Sequence, residues 1–476
     1  MVFSSGLFLL YFFPVFLVVY FGMPHRFKNL FLLLASVLFF YWGAPLFVFV
    51  VLGSVLLDYY VVRAMYKAGE ERRKRQWLLV SLLLNLGLLG YFKYFNFFVQ
   101  NISAVLSGLH IHSLPIAQIA LPIGISFFTF KKISYCMDVY RGQHAPFDKL
   151  QNYALFILLF PELIAGPIVR FNEIADQITD RKKQETIHNK LMGLFRFSIG
   201  LSKKVLIANV VGAEADKLFA ADMTTVGTPV VWLGVVAYSF QIYFDFSGYS
   251  DMAIGIARMI GFKFPENFDN PYIAQSITDF WRRWHITLGR WMRDYLYIPL
   301  GGNKVKTKTR LYFNLAVVFL LSGLWHGASW NFVVWGTFHG FFLIADRVFL
   351  LRVYKVIGRL PSIVVTYCIV LIGWVYFRSP DLPTANAIVQ KMFAFDFATR
   401  HPFYFLNDFY VLMVVAGVLS FAGVWNTFEG WQQNVFTATL TNKRTLVMGA
   451  LCYALLMLSI SSVISSDFNP FIYYKF

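Results

Sequence analysis

A chain of 476 residues in which 58% are hydrophobic and only 14% charged is excluded from the ordinary soluble class, where about a quarter of residues carry charge. Its 42 lysines and arginines against 25 aspartates and glutamates give a net charge of +17. The basic residues fall in short loops between apolar runs, so topology and anionic lipid account for them and no nucleic-acid partner is expected. Cys136, Cys368 and Cys452 have no paired spacing, which argues against a disulfide framework or a thiolate metal site.

In chain order, Phe3 to Gly22 is long enough to cross a bilayer, which takes about 20 apolar residues. It lacks the basic region and cleavage site of a removable signal, so it reads as a retained first span. The basic loop around His25, Arg26 and Lys28 leads into a hairpin, Leu30 to Tyr41 and Leu46 to Val62, which ends at the basic run Arg63 to Arg75. Two basic loops on one side put that side in the cytoplasm and the N-terminus outside. Trp77 to Val99 crosses outward, and the loop from Gln100 to Pro115 has no lysine or arginine. Pro122 and Gly124 interrupt the run Leu121 to Phe130, which Lys131 and Lys132 follow, and a similar interruption recurs from Phe160 to Pro167. Broken or re-entrant segments are expected at both places. Arg181, Lys182, Lys183, Lys203 and Lys204 read as loop or interfacial residues. Val230 to Ile260 is a long apolar region in which Asp245 to Asp251 reads as an interruption. Pro265 to Arg310 is polar and basic and is placed inside. Leu311 to Leu350 enters, breaks near His326 and returns, and spans near Ser362 to Phe377, Phe405 to Val424 and Leu446 to Ile464 leave the C-terminal tail outside. The expectation is an all-α polytopic integral membrane protein of about eleven transmembrane helices. With no linker composition anywhere, residues 1–476 read as one domain.

Two histidines stand out. On a helix, ~100° per residue gathers Trp281, Trp284, Leu288, Trp291, Met292 and Tyr295 on one face with Arg282, Arg283, Arg290 and Arg293 opposite. That pattern predicts an interfacial helix on the cytoplasmic side. His285 lies at the border of its apolar face. It is either a packing residue or an imidazole reaching inward while the arginines meet lipid phosphates or an anionic donor. His326 sits fifteen residues beyond Leu311, about 22 Å at ~1.5 Å per residue, in the middle or outer half of the bilayer. Ser322, Ser329 and Asn331 surround it with polar groups, and Gly323 and Gly327 leave room for close approach. An imidazole held away from water can take a proton from a hydroxyl nucleophile; the alternative is a buried histidine bonded to a carbonyl. His339, in a more uniformly apolar run, reads as structural. Asp58, Glu162, Asp245 and Asp251 need partners at depth, and charge pairing is the expectation for all four. No phosphate-binding loop, zinc-protease motif or serine nucleophile elbow is present in the sequence.

Gly323-Leu-Trp-His326-Gly-Ala, preceded by Asp279-Phe-Trp-Arg-Arg-Trp-His285-Ile-Thr-Leu and Asp294-Tyr-Leu-Tyr-Ile-Pro-Leu-Gly-Gly-Asn303, resembles the membrane-bound O-acyltransferase family. The likeness is to the bacterial branch of the alginate O-acetylation membrane subunit and, more distantly, to the teichoic-acid D-alanylation membrane subunit. Phe160 to Arg170, Phe244 to Asp251 and the terminal Pro470 to Phe476 extend the resemblance over nearly the whole chain.

The resemblance implies helices around a central tunnel, with short re-entrant and interfacial helices on the cytoplasmic side. It implies catalytic roles for His326 and His285, a donor site at Arg282, Arg283, Trp281 and Trp284, and a substrate tunnel lined by Trp325, Ser322 and Asn331. Phe471, Tyr473 and Phe476 are the candidate docking residues for a periplasmic or surface acyltransferase partner. The implied activity is transfer of an acetyl group from a cytoplasmic thioester to hydroxyls of an exported polysaccharide. Acetyl coenzyme A, or instead an acyl-carrier-protein thioester, is the donor, and neither a metal nor a permanently bound cofactor is expected. The implied location is the bacterial inner membrane. A rival reading is a non-enzymatic export subunit, for which inverted repeats with paired broken helices are the signature; another is an acyltransferase acting on a lipid or protein.

Overall fold

The computed structural model describes residues 2–110, 118–398, 407–425 and 441–465, together with 427, 428, 430, 435 and 436. The described residues are almost wholly helical and form no strand, only one isolated bridge between Phe268 and Trp284. Among the described residues five helical stretches are long and apolar enough to cross a membrane: Phe47–Lys67, Glu71–Gly108, Thr228–Met259, Arg359–Arg378 and Asn442–Ser465. The expected first span is realised as a shorter apolar helix, Phe8–Gly22, and Asp408–Val424 is also short. The protein is an all-helical, polytopic membrane protein. Its contacts divide it into two compact units, one of residues 7–186 with 260–264 and one of residues 2–6, 187–259 and 265–476.

The first unit contains α1 (Phe13–Gly22), α2 (His25–Gly43), α3 (Phe47–Lys67), α4 (Glu71–Leu89), α5 (Phe95–Gly108), α6 (Ile125–Tyr140), α7 (Leu150–Leu158) and α8 (Phe171–Thr179). Both expected interruptions are present. Gly124 turns the chain at φ +77°, and a Cβ there would lie 2.6 Å from the Leu163 carbonyl oxygen, so only glycine admits the contact. The segment it touches is the second interruption, where Phe160–Glu162 forms a single 3-10 turn. Lys131 and Lys132, which follow the interrupted run, lie inside α6 and are buried. Lys131 Nζ pairs with Glu162 Oε1 at 2.7 Å, and Lys132 Nζ donates to Ser54 Oγ at 2.6 Å. Asp58 accepts from Ser81 Oγ at 2.6 Å, from Asn85 Nδ2 at 2.9 Å and from the Tyr153 hydroxyl. Arg181 does lie in a loop, just before the 3-10 turn Lys182–Gln184, but it is buried there: it is 3% exposed, and its guanidinium donates to the Ile260 carbonyl, Tyr20 and Asn29.

The second unit contains α9 (Ile187–Ser202), α10 (Asn209–Phe219), α11 (Thr228–Met259), α12 (Ile277–Arg283), α13 (Ile286–Met292), α14 (Lys308–His326), α15 (Trp330–Ala345), α16 (Leu351–Ile357), α17 (Arg359–Arg378), α18 (Leu382–Met392), α19 (Asn407–Phe421) and α20 (Asn442–Ser465). The predicted interruption at Asp245–Asp251 does not occur. α11 runs unbroken for 32 residues and is largely buried. Gly200 and Gly248 bring α9 against it so closely that a Cβ on Gly200 would stand 2.5 Å from the Gly248 carbonyl oxygen. At that approach basic side chains reach the acids: Arg196 Nη2 to Asp251 Oδ1 at 2.8 Å, Lys203 Nζ to Asp251 Oδ2 at 2.7 Å and Lys204 Nζ to Asp245 Oδ1 at 2.7 Å. Lys203 and Lys204, expected in a loop or at the interface, therefore lie on a π-helical continuation of α9, Lys203–Ala208. Pairing makes the buried carboxylates tolerable without breaking the helix.

Candidate functional site

The arrangement of the candidate site follows from the segment between α11 and α12. The predicted interfacial helix is not continuous; it divides at Trp284 and His285, and His285 takes a left-handed backbone with φ 45°. Such a conformation costs a non-glycine residue about 1–3 kcal/mol and is held only where neighbours dictate it. Here the neighbours are residues 267–269. Asp269 N–H donates to the Arg283 carbonyl at 2.9 Å and Ile286 N–H to the Asn267 carbonyl at 3.0 Å, so backbone pairing grips the joint from both sides. The apolar face still points inward, with Trp284, Leu288, Trp291, Met292 and Tyr295 buried, and Arg282, Arg290 and Arg293 point outward.

The break turns His285 into the protein, where it is 1% exposed. Its Nδ1 meets Asn267 Oδ1 at 3.0 Å, and its ring stands edge-on to Phe246 at 4.8 Å. Burial pushes this imidazole down to about 3. It is uncharged at neutral pH.

His326 is the last residue of α14, and the expected break and return follows at once, with Gly327 extended and α15 beginning at Trp330. Nineteen residues at ~1.5 Å place it about 27 Å from the basic start of that helix. The ring is 4% exposed as a residue and is enclosed edge-on by Trp325 at 4.9 Å, Trp335 at 5.0 Å and Phe377 at 5.3 Å. Trp325 also lies 6.1 Å from His285. One indole thus touches both histidines, although 41 positions separate them in sequence. His339 is fully buried and touches the other face of this group through Trp335 at 5.0 Å and Trp281 at 5.1 Å.

Helix α15 is fixed against α14 by glycines. A Cβ on Gly323 would stand 3.1 Å from Gly336 Cα, and one on Gly336 the same distance from Gly323 Cα. This is the close small-residue crossing by which membrane helices pack. Ser322 and Trp325 are buried on the last turn of α14. Asn331 Nδ2 donates to the Ser379 carbonyl at 2.7 Å, which ties the start of α15 to the end of α17.

The four residues assigned by resemblance to a donor site are placed differently from one another. Arg282 is exposed; Arg283 is engaged with Asp279 Oδ1 at 3.1 Å and the Asp269 carbonyl at 3.2 Å. Trp281 is partly buried on Trp335 and His339. Trp284 stands in an aromatic core, 4.8 Å from Trp374, 5.0 Å from Phe268 and 6.1 Å from Tyr243, and not on a surface. Phe471, Tyr473 and Phe476 lie outside the described residues. Among the described residues no group of three or more His, Cys, Asp and Glu is placed to hold a metal ion. A cavity of about 540 Å³ in the first unit, bordered by His25, Arg26, His144, Lys149 and Arg181, contains none of the candidate catalytic, donor-site or tunnel residues.

Sequence reasoning missed Asn267 and Trp335. Asn267 lies in a polar stretch with no motif of its own, and its partner is eighteen positions away. Trp335 lies five residues after Trp330 in an apolar run, where nothing in the pattern distinguishes it from a core aromatic.

The description "MBOAT, membrane-bound O-acyltransferase family" matches residues 148–377, which include both histidines. The chain is 44% identical to the probable alginate O-acetylase AlgI of Pseudomonas aeruginosa, over 83% of this chain and 75% of that protein. It is 39% identical to the probable alginate O-acetylase AlgI of Pseudomonas putida over the whole of both chains. To the peptidoglycan O-acetyltransferase of Helicobacter pylori it is 39% identical, over 82% of this chain and 80% of that one.

Proposed function

The chain belongs to the membrane-bound O-acyltransferase family, and from that premise we propose that it moves an acetyl group from a cytoplasmic thioester to hydroxyls of an exported polysaccharide. The names of its relatives support both the group and the acceptor class, since two are named as probable alginate O-acetylases and one as a peptidoglycan O-acetyltransferase. The observation that carries the chemistry is the pair of buried imidazoles on one indole, with His326 at the far end of a helix that starts in a basic segment.

In this reading His326 is the general base. It takes the proton of the acceptor hydroxyl as the oxygen attacks the thioester carbonyl. The tetrahedral intermediate collapses, the C–S bond breaks, and the imidazolium returns its proton to the leaving thiolate. His285 positions the donor. Arg282 and Arg283 meet its anionic portion, as planar guanidinium groups suit phosphates, and Ser322, Trp325 and Asn331 line the path. Acetyl coenzyme A is the donor, with a carrier-protein thioester the alternative chemistry of the same kind. The protein sits in the bacterial inner membrane with both termini outside, as the loop charges direct. Phe471, Tyr473 and Phe476 in the outer tail dock a separate extracytoplasmic transferase that completes delivery.

The test is His326→Ala in the full chain, with membrane level checked by immunoblot and acetyl content of the exported glycan measured. The expected outcome is loss of O-acetylation at unchanged protein level. Undiminished acetylation would remove the catalytic assignment.

A further inference from the structure

Asn267 is fully buried and has no role in any motif. Its hydrogen-bond partners assign the orientation of its carboxamide. The oxygen accepts from the Thr287 backbone N–H at 3.4 Å, a group that can only donate, and from Thr287 Oγ1 at 2.8 Å; the nitrogen donates to Ser250 Oγ at 3.1 Å. The oxygen therefore also faces His285 Nδ1, at 3.0 Å. An amide oxygen cannot donate, so Nδ1 must carry the imidazole proton. In the uncharged ring the lone pair is then left on Nε2. That Nε2 is buried and meets no hydrogen-bond partner among the described residues. A buried, unanswered acceptor is costly unless something outside the protein satisfies it.

We infer that Asn267 is a positioning residue that locks His285 in its Nδ1–H tautomer, so that His285 serves substrate as a hydrogen-bond acceptor through Nε2. The inference rests on reading His285 as a site residue. It adds direction to that reading: an uncharged His285 in this tautomer takes a hydrogen bond from a substrate O–H or N–H. It cannot donate from Nε2 to the oxyanion of the tetrahedral intermediate, a task left to other groups. The left-handed backbone at His285 and the Ile286 to Asn267 pairing serve the same end, because they bring the ring up to the asparagine instead of along a helix face.

The experiment has two arms on the full-length protein in bilayers. In the first, histidine-selective ¹⁵N labelling with His285→Gln as the assignment control reads which ring nitrogen is bare. The expected signal is a bare Nε2 and a protonated Nδ1, unchanged in His326→Ala. A proton on Nε2 overturns the inference whatever the activity. In the second arm, Asn267→Leu is expected to lower kcat for acetyl transfer by about ten- to a hundredfold, the range for loss of an outer-shell partner, with KM nearly constant. Asn267→Asp keeps an acceptor oxygen but favours the imidazolium, so activity returns while the acid limb of the pH profile moves upward by about a unit or more. Should Asn267→Leu work at the native rate with the native pH profile, the lock has no function. If the tautomer is as stated and His326→Ala remains active, the proposed base is wrong and the assignment of Asn267 stands.

Discussion

Replacing Gly323 by alanine tests whether the crossing of α14 and α15 sets the position of His326. The new Cβ would stand 3.1 Å from Gly336 Cα and closer than 3.0 Å to the Phe332 carbonyl oxygen, both on backbone that cannot rotate aside. Ordinary contact begins near 3.4 Å, so the helices have to part by roughly 1 Å in an interior packed to crystal density. Overpacking of this kind costs about 1–3 kcal/mol. The positional effect is larger, because His326 ends α14 three residues later and a displacement of ~1 Å at a reacting group can cost about a hundredfold in rate. The variant is therefore expected to reach the membrane at reduced level and to acetylate at least about tenfold less per molecule. Acetyl content of exported glycan, divided by membrane protein from immunoblots, separates the two losses. Gly289→Ala is the control: its Cβ would meet only the Trp281 carbonyl oxygen at 3.5 Å, and in α13 alanine is the better helix former by about 1 kcal/mol. Native activity per molecule in Gly323→Ala would show that the crossing has slack and that the packing argument fails.

Two further outcomes concern stability. The Glu185 carboxyl is held below its ordinary value: burial opposes its charge, but hydrogen bonds from Lys28 and Tyr20 and the charges of Lys28 and Arg181 outweigh it. A depressed carboxylate stabilises the fold fully above its unfolded value and loses that contribution as pH falls through the folded one. The melting temperature of the purified protein should fall as pH drops below about 5, through the ordinary carboxylate value of about 4.3 and beneath it, and Glu185→Gln should flatten part of that fall; an identical pH dependence in the variant would exclude this group. Within the second unit, Lys204→Met leaves Asp245 charged and buried and is expected to destabilise by about 3–5 kcal/mol, whereas Lys204→Met with Asp245→Leu should recover most of it. Thermal unfolding of the two variants decides, and equal losses would mean that the pair is not coupled.

How far the structure could be read in advance depended on whether a residue's partner was near it in sequence. The turn at His326 was legible because Gly327 and the following Ser-Trp-Asn stop one helix and start another within a few residues. The breaks before Ile125 and at Phe160 were legible for the same reason, through proline and glycine. Asp245 and Asp251 misled, since acids in an apolar run suggest a break; their cations lie on α9 and its continuation, 41 or more positions earlier, and a periodic pattern carries no trace of that. The helix from Trp281 to Tyr295 misled in the opposite sense. Its apolar and basic faces are real, and the burial of Trp284, Leu288 and Trp291 follows them, but propensity and moment cannot register Asn267 gripping the backbone on either side of His285. The division into two compact units was invisible because no linker composition marks it; residues 260–264 belong to the first unit although the chain has already entered the second.

The two misreadings have one physical origin and point to the same residues. In a chain this apolar, a buried polar group is expensive unless another meets it, so each polar residue that a one-dimensional pattern fails to place signals a long-range partner. Followed through the second unit, that rule leads from Asp251 to Arg196, from Arg196 to Glu266, and from the neighbouring Asn267 to His285. The joint that breaks the predicted helix is thus anchored, through adjacent residues, to the charged pairs that keep α11 whole. It follows that a substitution at Arg196 should disturb the His285 tautomer signal without touching the histidine. Loss of Asn267 should leave the Arg196 to Asp251 pair in place, because the anchoring runs from the charged core outward to the imidazole.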